Sequence, residues 1–205
     1  MTMATQTSKT YRAEPLIGDT PWMTKTCIHA LGRLLQDSRC FLEYGAGGST
    51  RFAAAHEVKS LISVESDVRF LNAVDGCIQR DSPNLDWHPI HVDIGRVGPL
   101  GYPLQLKSMR RWLRYPSRPW VAGHQPDLVL IDGRFRLACA LATAYYAQPG
   151  TTIFFDDYLY RPWYWTAERF LSMVAKPGRA RIFKVPDTHR PHLRAALVSA
   201  CRDPR

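Results

Sequence analysis

Residues Cys40 to Thr50, Cys-Phe-Leu-Glu-Tyr-Gly-Ala-Gly-Gly-Ser-Thr, constrain this chain more than any other stretch. An apolar run ends in an acid, a glycine-rich turn follows at once, and Ser49 and Thr50 open the next segment, Phe52 to Ala55. That order predicts a buried strand, a tight turn and a helix start. Glycines let a backbone approach a ligand closely, and the start of a helix offers free N–H groups. A nucleotide-like cofactor is the natural guest of such a turn. A strand-to-helix turn with no ligand is the plainer alternative.

The rest of the chain alternates between α and β patterns, which predicts an α/β domain around a mostly parallel sheet. Helical spacing of Cys27, Ile28, Leu31, Leu34 and Leu35 predicts a packing helix over 24–36. Short apolar runs predict strands at 40–44, 61–64, 88–92, 128–131 and 152–155. Helices are predicted from Val68 to Ile78, from Phe135 to Ala147 and over 166–175. Arg181 to Val185 and Leu193 to Ser199 read as a closing antiparallel pair joined by a Pro- and His-bearing loop. The segment 94–125 holds Pro99, Pro103, Pro116 and Pro119 and reads as an insertion or lid beside the sheet. Residues 1–20 read as a disordered or loosely packed tail, leaving 21–205 as one domain.

Each of the five leading strands ends in or just before an acid: Glu43, Glu65, Asp93, Asp132, and the pair Asp156 and Asp157. In an open parallel sheet, ligands bind outside the carboxyl ends of the strands, so these acids point into one crevice. Glu65 could accept hydrogen bonds from two vicinal ribose hydroxyls, since a carboxylate has two acceptor oxygens. Asp93 could accept from an adenine amine. Glu43 stands two residues before the first glycine, where it would repel a pyrophosphate and suit an amine. A dinucleotide-binding dehydrogenase therefore ranks last.

Glu43, Glu65 and Asp93, together with Gly45, Gly47 and Gly48, resemble the successive motifs of the class I S-adenosylmethionine (SAM) methyltransferases over roughly residues 38–200. The resemblance implies a Rossmann-like seven-stranded sheet of order 3-2-1-4-5-7-6 with a reversed last strand and helices on both faces. It implies SAM as cofactor, bound by Glu43, Gly45, Ala46, Gly47, Ser49, Thr50, Glu65, Ser66, Asp93, Ile94 and Asp132. Leu-Val-Leu-Ile-Asp at 128–132 and Phe-Asp-Asp at 155–157 are further similar to the metal-dependent O-methyltransferases of the catechol and antibiotic-sugar types. That likeness implies a hard divalent cation such as Mg²⁺ on Asp132, Asp156 and Asp157. The cation would make an acceptor hydroxyl easier to deprotonate. Where sugar-modifying relatives carry a second acid as general base, this chain has Arg134, which cannot serve as a base at neutral pH. Arg134 would bind an acidic acceptor, or pair with the aspartates in place of a metal. His124, with His91, is the candidate replacement base. Asp132, Arg134 and His124 are thus the catalytic candidates.

The expected activity is O-methylation of a small acceptor, with an anionic one favoured by a net charge of +9 at pH 7. Lys107 to Trp120 mixes arginines with Trp112, Tyr115 and Trp120, which keeps an RNA-binding or RNA-modifying protein as an alternative. The plainer reading of that segment is a lid helix with Leu106, Met109 and Leu113 facing inward. Arg134 in place of a base also leaves open a non-catalytic protein of the same fold. The five cysteines are widely spaced, with no C-x-x-C, so neither a disulfide framework nor a zinc site follows. A reducing, cytoplasmic setting is expected, with no membrane span; homo-oligomerisation is left open.

Overall fold

The computed structural model describes residues 15–188 and 191–205. Seven strands form one sheet: β1 (Cys40–Tyr44), β2 (Ser60–Glu65), β3 (Asp86–His91), β4 (Leu128–Ile131), β5 (Thr152–Phe155), β6 (Ser172–Ala175) and β7 (Arg181–Lys184). Their order is β3-β2-β1-β4-β5-β7-β6. The first five pair in parallel, and β7 runs antiparallel to both β5 and β6. The expected sheet is therefore the observed one. Tyr44 registers with Val64 on one side and Ile131 on the other, so β1, β2 and β4 end level and open one crevice.

Seven helices flank the sheet: α1 (Lys25–Gln36), α2 (Gly48–Ala55), α3 (Val68–Asp81), α4 (Met109–Trp112), α5 (Arg114–Val121), α6 (Arg136–Tyr146) and α7 (Leu193–Ala200). Strand side chains alternate between faces. Leu42, Ile62, Val129 and Ile131 join the core under α5, α6 and α7. Phe41, Leu61, Leu128 and Leu130 join the other, with Leu31 and Leu35 of α1 and Ala53 of α2. All four residues of β4 are buried, as a central parallel strand covered on both faces requires. β3 lies at the edge, where Pro89 removes no ladder donor that the sheet needs. No helix among the described residues is long and apolar enough to cross a membrane.

Two expected elements change identity. Leu193–Ala200 is a helix, not a strand, because Leu193, Ala196, Leu197 and Ala200 recur at helical spacing and pack on the core. The expected helix over 166–175 is a 3-10 turn (Pro162–Arg169) followed by β6. Pro177 and Gly178, the latter at φ +53°, close the β6–β7 hairpin that replaces it as the antiparallel pair. The insertion is helical in part, but its inner face is not the expected one. Trp112, Tyr115, Pro116 and Trp120 are buried, while Leu106, Met109 and Leu113 are 75%, 37% and 42% exposed. The buried aromatics find partners for their polar atoms: Trp112 Nε1 donates to Ile94 O, Tyr44 Oη to Pro116 O at 2.6 Å, and Trp120 Nε1 to Tyr44 Oη at 2.8 Å. Residues 1–14 of the expected tail lie outside the described residues. Within residues 15–20, Ile17 is buried beside Ala46 and Leu71, and its carbonyl accepts from Arg51 Nη1 at 3.0 Å. Leu16 beside it is 98% exposed, so Ile17 is the anchored residue of this part.

Candidate active site

The level ends of β1, β2 and β4 border a cleft of about 610 Å³, lined by the Gly45–Ser49 turn, Glu65, Gly101, Asp132 to Arg134 and Asp157 among others. Local backbone geometry explains the glycines. Gly45 has φ +98°, and a Cβ there would lie 2.8 Å from Gly133 Cα. A Cβ on Gly133 would lie 2.6 Å from Tyr115 Oη and 2.9 Å from Gly45 N. The β1 and β4 turns thus touch backbone to backbone, and only glycine at both positions allows it. A Cβ on Gly48 would strike Thr20 O, so this glycine accommodates the N-terminal segment. Gly47 faces only the Phe70 ring, at 3.4 Å, and borders the cleft. Of the three glycines, it is the one at which the described chain leaves room for a side chain.

Glu65 ends β2. It lines the cleft, and its Oε1 accepts from Ser66 N at 2.6 Å, Ser66 Oγ at 3.1 Å and Asp67 N at 2.9 Å. Ser66 thus acts on the acid rather than on the cleft. Burial pushes the Glu65 carboxyl above its ordinary value, while these donors pull it back. The Ala46 amide adds to that pull, so Glu65 ties the end of β2 to the glycine turn.

Glu43 does not line the cleft. It is fully buried beneath the turn, accepting from Ser49 Oγ at 2.5 Å, Ser63 Oγ at 2.7 Å and Thr50 Oγ1. Thr50 Oγ1 in turn accepts from Gly47 N at 2.9 Å. Glu43, Ser49 and Thr50 therefore brace the glycine turn against β2, where an amine contact was expected of Glu43. Burial pushes its carboxyl up to about 7 against the three hydroxyls. The folded chain then holds a proton that the unfolded chain, with an ordinary value of 4.5, releases. Stability from this group is fully present below pH 4.5 and is lost as pH rises to 7. Relative to Glu43→Gln, the wild type should lose on the order of 3 kcal/mol across that window. Urea unfolding of both at pH 5 and pH 8 measures it, and parallel profiles would refute the assignment.

Asp93 and Ile94 stand apart from the expected adenine contact. Asp93 is exposed, ion-paired to Arg111 at 2.7 Å, and accepts from Gly95 N at 2.8 Å. Ile94 is buried in the core. Neither lines the main cleft; Phe70, Leu100 and Gly101 do on this side. Those residues had no signal in the sequence beyond the glycines and prolines of the insertion.

The three candidate metal ligands are each held by arginine. Asp132 Oδ1 lies 2.9 Å from Arg136 Nη2, Asp156 Oδ2 lies 2.8 Å from Arg179 Nη2, and Asp157 meets Arg161 at 2.5 Å and Arg179 at 3.0 Å. Asp156 is fully buried and absent from the cleft wall. Among the described residues no group of His, Cys, Asp or Glu is placed to hold a metal ion. The donor set does not fit Mg²⁺, because guanidinium charge already neutralises the carboxylates. Arg136 adds hydrogen bonds to the carbonyls of Asp132, Gly133 and Asp156, fastening the β4 and β5 ends together. Asp132 remains in the cleft wall, and burial pushes its carboxyl up to about 6 despite Arg136. Arg134 also lines the cleft. His124 does not: its ring packs on His88, 5.0 Å between centroids, ahead of β4 at the opposite end of the sheet. His91 reaches only Ser66 O, at 3.3 Å.

No family model matches the chain, and no curated protein matches it. Solved structures do. A methyltransferase-like protein from Silicibacter pomeroyi is 33% identical with a TM-score of 0.82, the match covering 91% of this chain and 100% of that one. A caffeoyl-CoA O-methyltransferase candidate from Staphylococcus aureus is 9% identical with a TM-score of 0.55, covering 82% of this chain and 86% of its own. An O-methyltransferase from Bacillus cereus, in complex with S-adenosylhomocysteine, is 18% identical with a TM-score of 0.50, covering 77% and 80%. The two remoter structures speak to the fold alone. The strand order, and one-third identity over nearly the whole of both chains with the first, place this chain in the class I SAM-dependent methyltransferase family.

Proposed function

We propose that this chain transfers a methyl group from SAM to a hydroxyl oxygen of a small acceptor. The observation that carries the reading is Glu65, a cleft-lining carboxylate at the end of β2 whose Oε1 is fixed by the Ser66 and Asp67 amides, a placement suited to a ribose diol. Gly47 leaves the neighbouring wall bare, and Asp132 stands at the end of β4 on the same cleft. Bound there, the cofactor supplies an electrophilic methyl on a sulfonium centre. Asp132 is the group of the chain suited to take the acceptor proton. Burial pushes its carboxyl up to about 6, it lines the cleft, and Arg136 holds its Oδ1. The remaining contribution is positioning of the two reactants.

The test is conversion of SAM to S-adenosylhomocysteine over a panel of small hydroxylated compounds, with and without EDTA. Turnover is expected to be unchanged by the chelator, because arginines hold Asp132, Asp156 and Asp157. Activity lost to EDTA and restored by Mg²⁺ would overturn this part of the account. The alternative of an RNA-acting protein loses its main support, since Trp112, Tyr115 and Trp120 point into the core and offer no stacking face.

A further inference from the structure

Four arginines line the cleft: Arg134, Arg136, Arg161 and Arg179. Arg136, Arg161 and Arg179 are paired with aspartates. Arg134 has no hydrogen bond or ion pair from its guanidinium to any described residue, and its Nε is buried without a partner. The acids nearby are already engaged: Glu65 by backbone amides, Asp67 by Arg69, Asp132 by Arg136 and Asp157 by Arg161 and Arg179. None of these carboxylates is in ion-pair contact with Arg134, and arginine keeps its charge even when buried.

The side chain is also held in place. Its stem lies against Gly101, where an added Cβ would come 3.8 Å from Arg134 Cγ. Partial burial, with Arg136 nearby, pushes the guanidinium below its ordinary value. A buried donor is costly to leave unmade, and an orphaned Nε on a cleft-lining arginine calls for an acceptor in the cleft. A planar guanidinium matches a carboxylate or phosphate in bidentate geometry.

Resting on the methyltransferase reading of the same cleft, we propose that Arg134 binds an oxyanion of the methyl acceptor, so that the acceptor is a hydroxylated acid rather than a neutral hydroxyl compound. The oxyanion is a carboxylate or a phosphate. The carboxylate of the cofactor is the competing ligand, but the bare Gly47 wall and the amide-bearing start of α2 lie at the other turn, after β1.

The experiment titrates 4-hydroxybenzoate, phenyl phosphate and 4-hydroxybenzamide, at fixed ionic strength, into protein with and without S-adenosylhomocysteine. Wild type, Arg134→Gln and Arg134→Lys are compared, with thermal melts as the fold control. At least one acid is expected to bind about 10-fold tighter than the amide. Which acid wins tells carboxylate from phosphate. The preference should vanish in Arg134→Gln and return in part in Arg134→Lys, and Arg134→Gln should melt no lower than wild type. S-adenosylhomocysteine affinity should stay within about 3-fold across the three proteins. Equal binding of acids and amide, no binding of any probe, or a preference that survives Arg134→Gln would overturn the proposal. So would a fall in S-adenosylhomocysteine affinity in Arg134→Gln, which would assign the arginine to the cofactor. A wild type that binds no S-adenosylhomocysteine but keeps the Arg134-dependent preference would sink the methyltransferase reading while sustaining the anion site.

Discussion

Gly45→Ala is expected to destabilise the fold by about 3 kcal/mol or more and to abolish cofactor binding. Two costs add. The backbone at φ +98° is strained for any residue with a side chain, and the new methyl would sit 2.8 Å from Gly133 Cα and 2.9 Å from Gly133 N. Neither contact can be relieved by turning a side chain, because both atoms belong to the β4 turn. Moving that turn would drag Asp132, whose N–H donates to Tyr44 O at 3.2 Å, and Arg136, which binds its carbonyls. Gly47→Ala is the internal control. Its methyl would meet only the Phe70 ring at 3.4 Å, so the fold should persist within about 1 kcal/mol. Urea unfolding of the two variants reads the contrast; equal stability would mean that the backbone contact between the β1 and β4 turns yields.

Glu65→Ala should weaken S-adenosylhomocysteine binding by about 100-fold or more. Two hydrogen bonds from ribose hydroxyls to a carboxylate are worth roughly 1.5–3 kcal/mol each, and the methyl replaces them with nothing. Loss of the three donors' shared acceptor at Ser66 and Asp67 adds a modest stability cost. Glu65→Gln separates the two effects: the amide oxygen still accepts from the backbone, but the NH₂ cannot accept from a second hydroxyl. Its affinity is expected between wild type and alanine. Calorimetry on the three proteins decides, and equal affinity in all would place the ribose elsewhere.

Much of this was legible in the sequence because central parallel strands, buried on both faces, read as bare apolar runs. β1, β4 and β5 have the expected bounds for that reason. The acids at their ends marked the crevice. The misreadings came from short segments where periodicity is weak. Leu193–Ala200 spans eight residues, and its spacing fits a helix once Ala196 and Ala200 are counted as apolar. The lid's inner face was present as a stripe at 112, 115, 116, 119 and 120, yet the leucines drew attention to the wrong side. Burial does not follow from a glutamate's position in a motif, so Glu43 was read as a ligand although three hydroxyls enclose it. The arginine clamp was hidden for a topological reason. Arg179 reaches Asp156 and Asp157 only through the β6–β7 hairpin, whose first strand had been read as helix.

The measurement that bears most directly on the central claim is calorimetric titration of S-adenosylhomocysteine into the folded wild type. The account predicts saturable binding at one site per chain, weakened by Glu65→Ala. A folded wild type that binds neither S-adenosylhomocysteine nor SAM would contradict it.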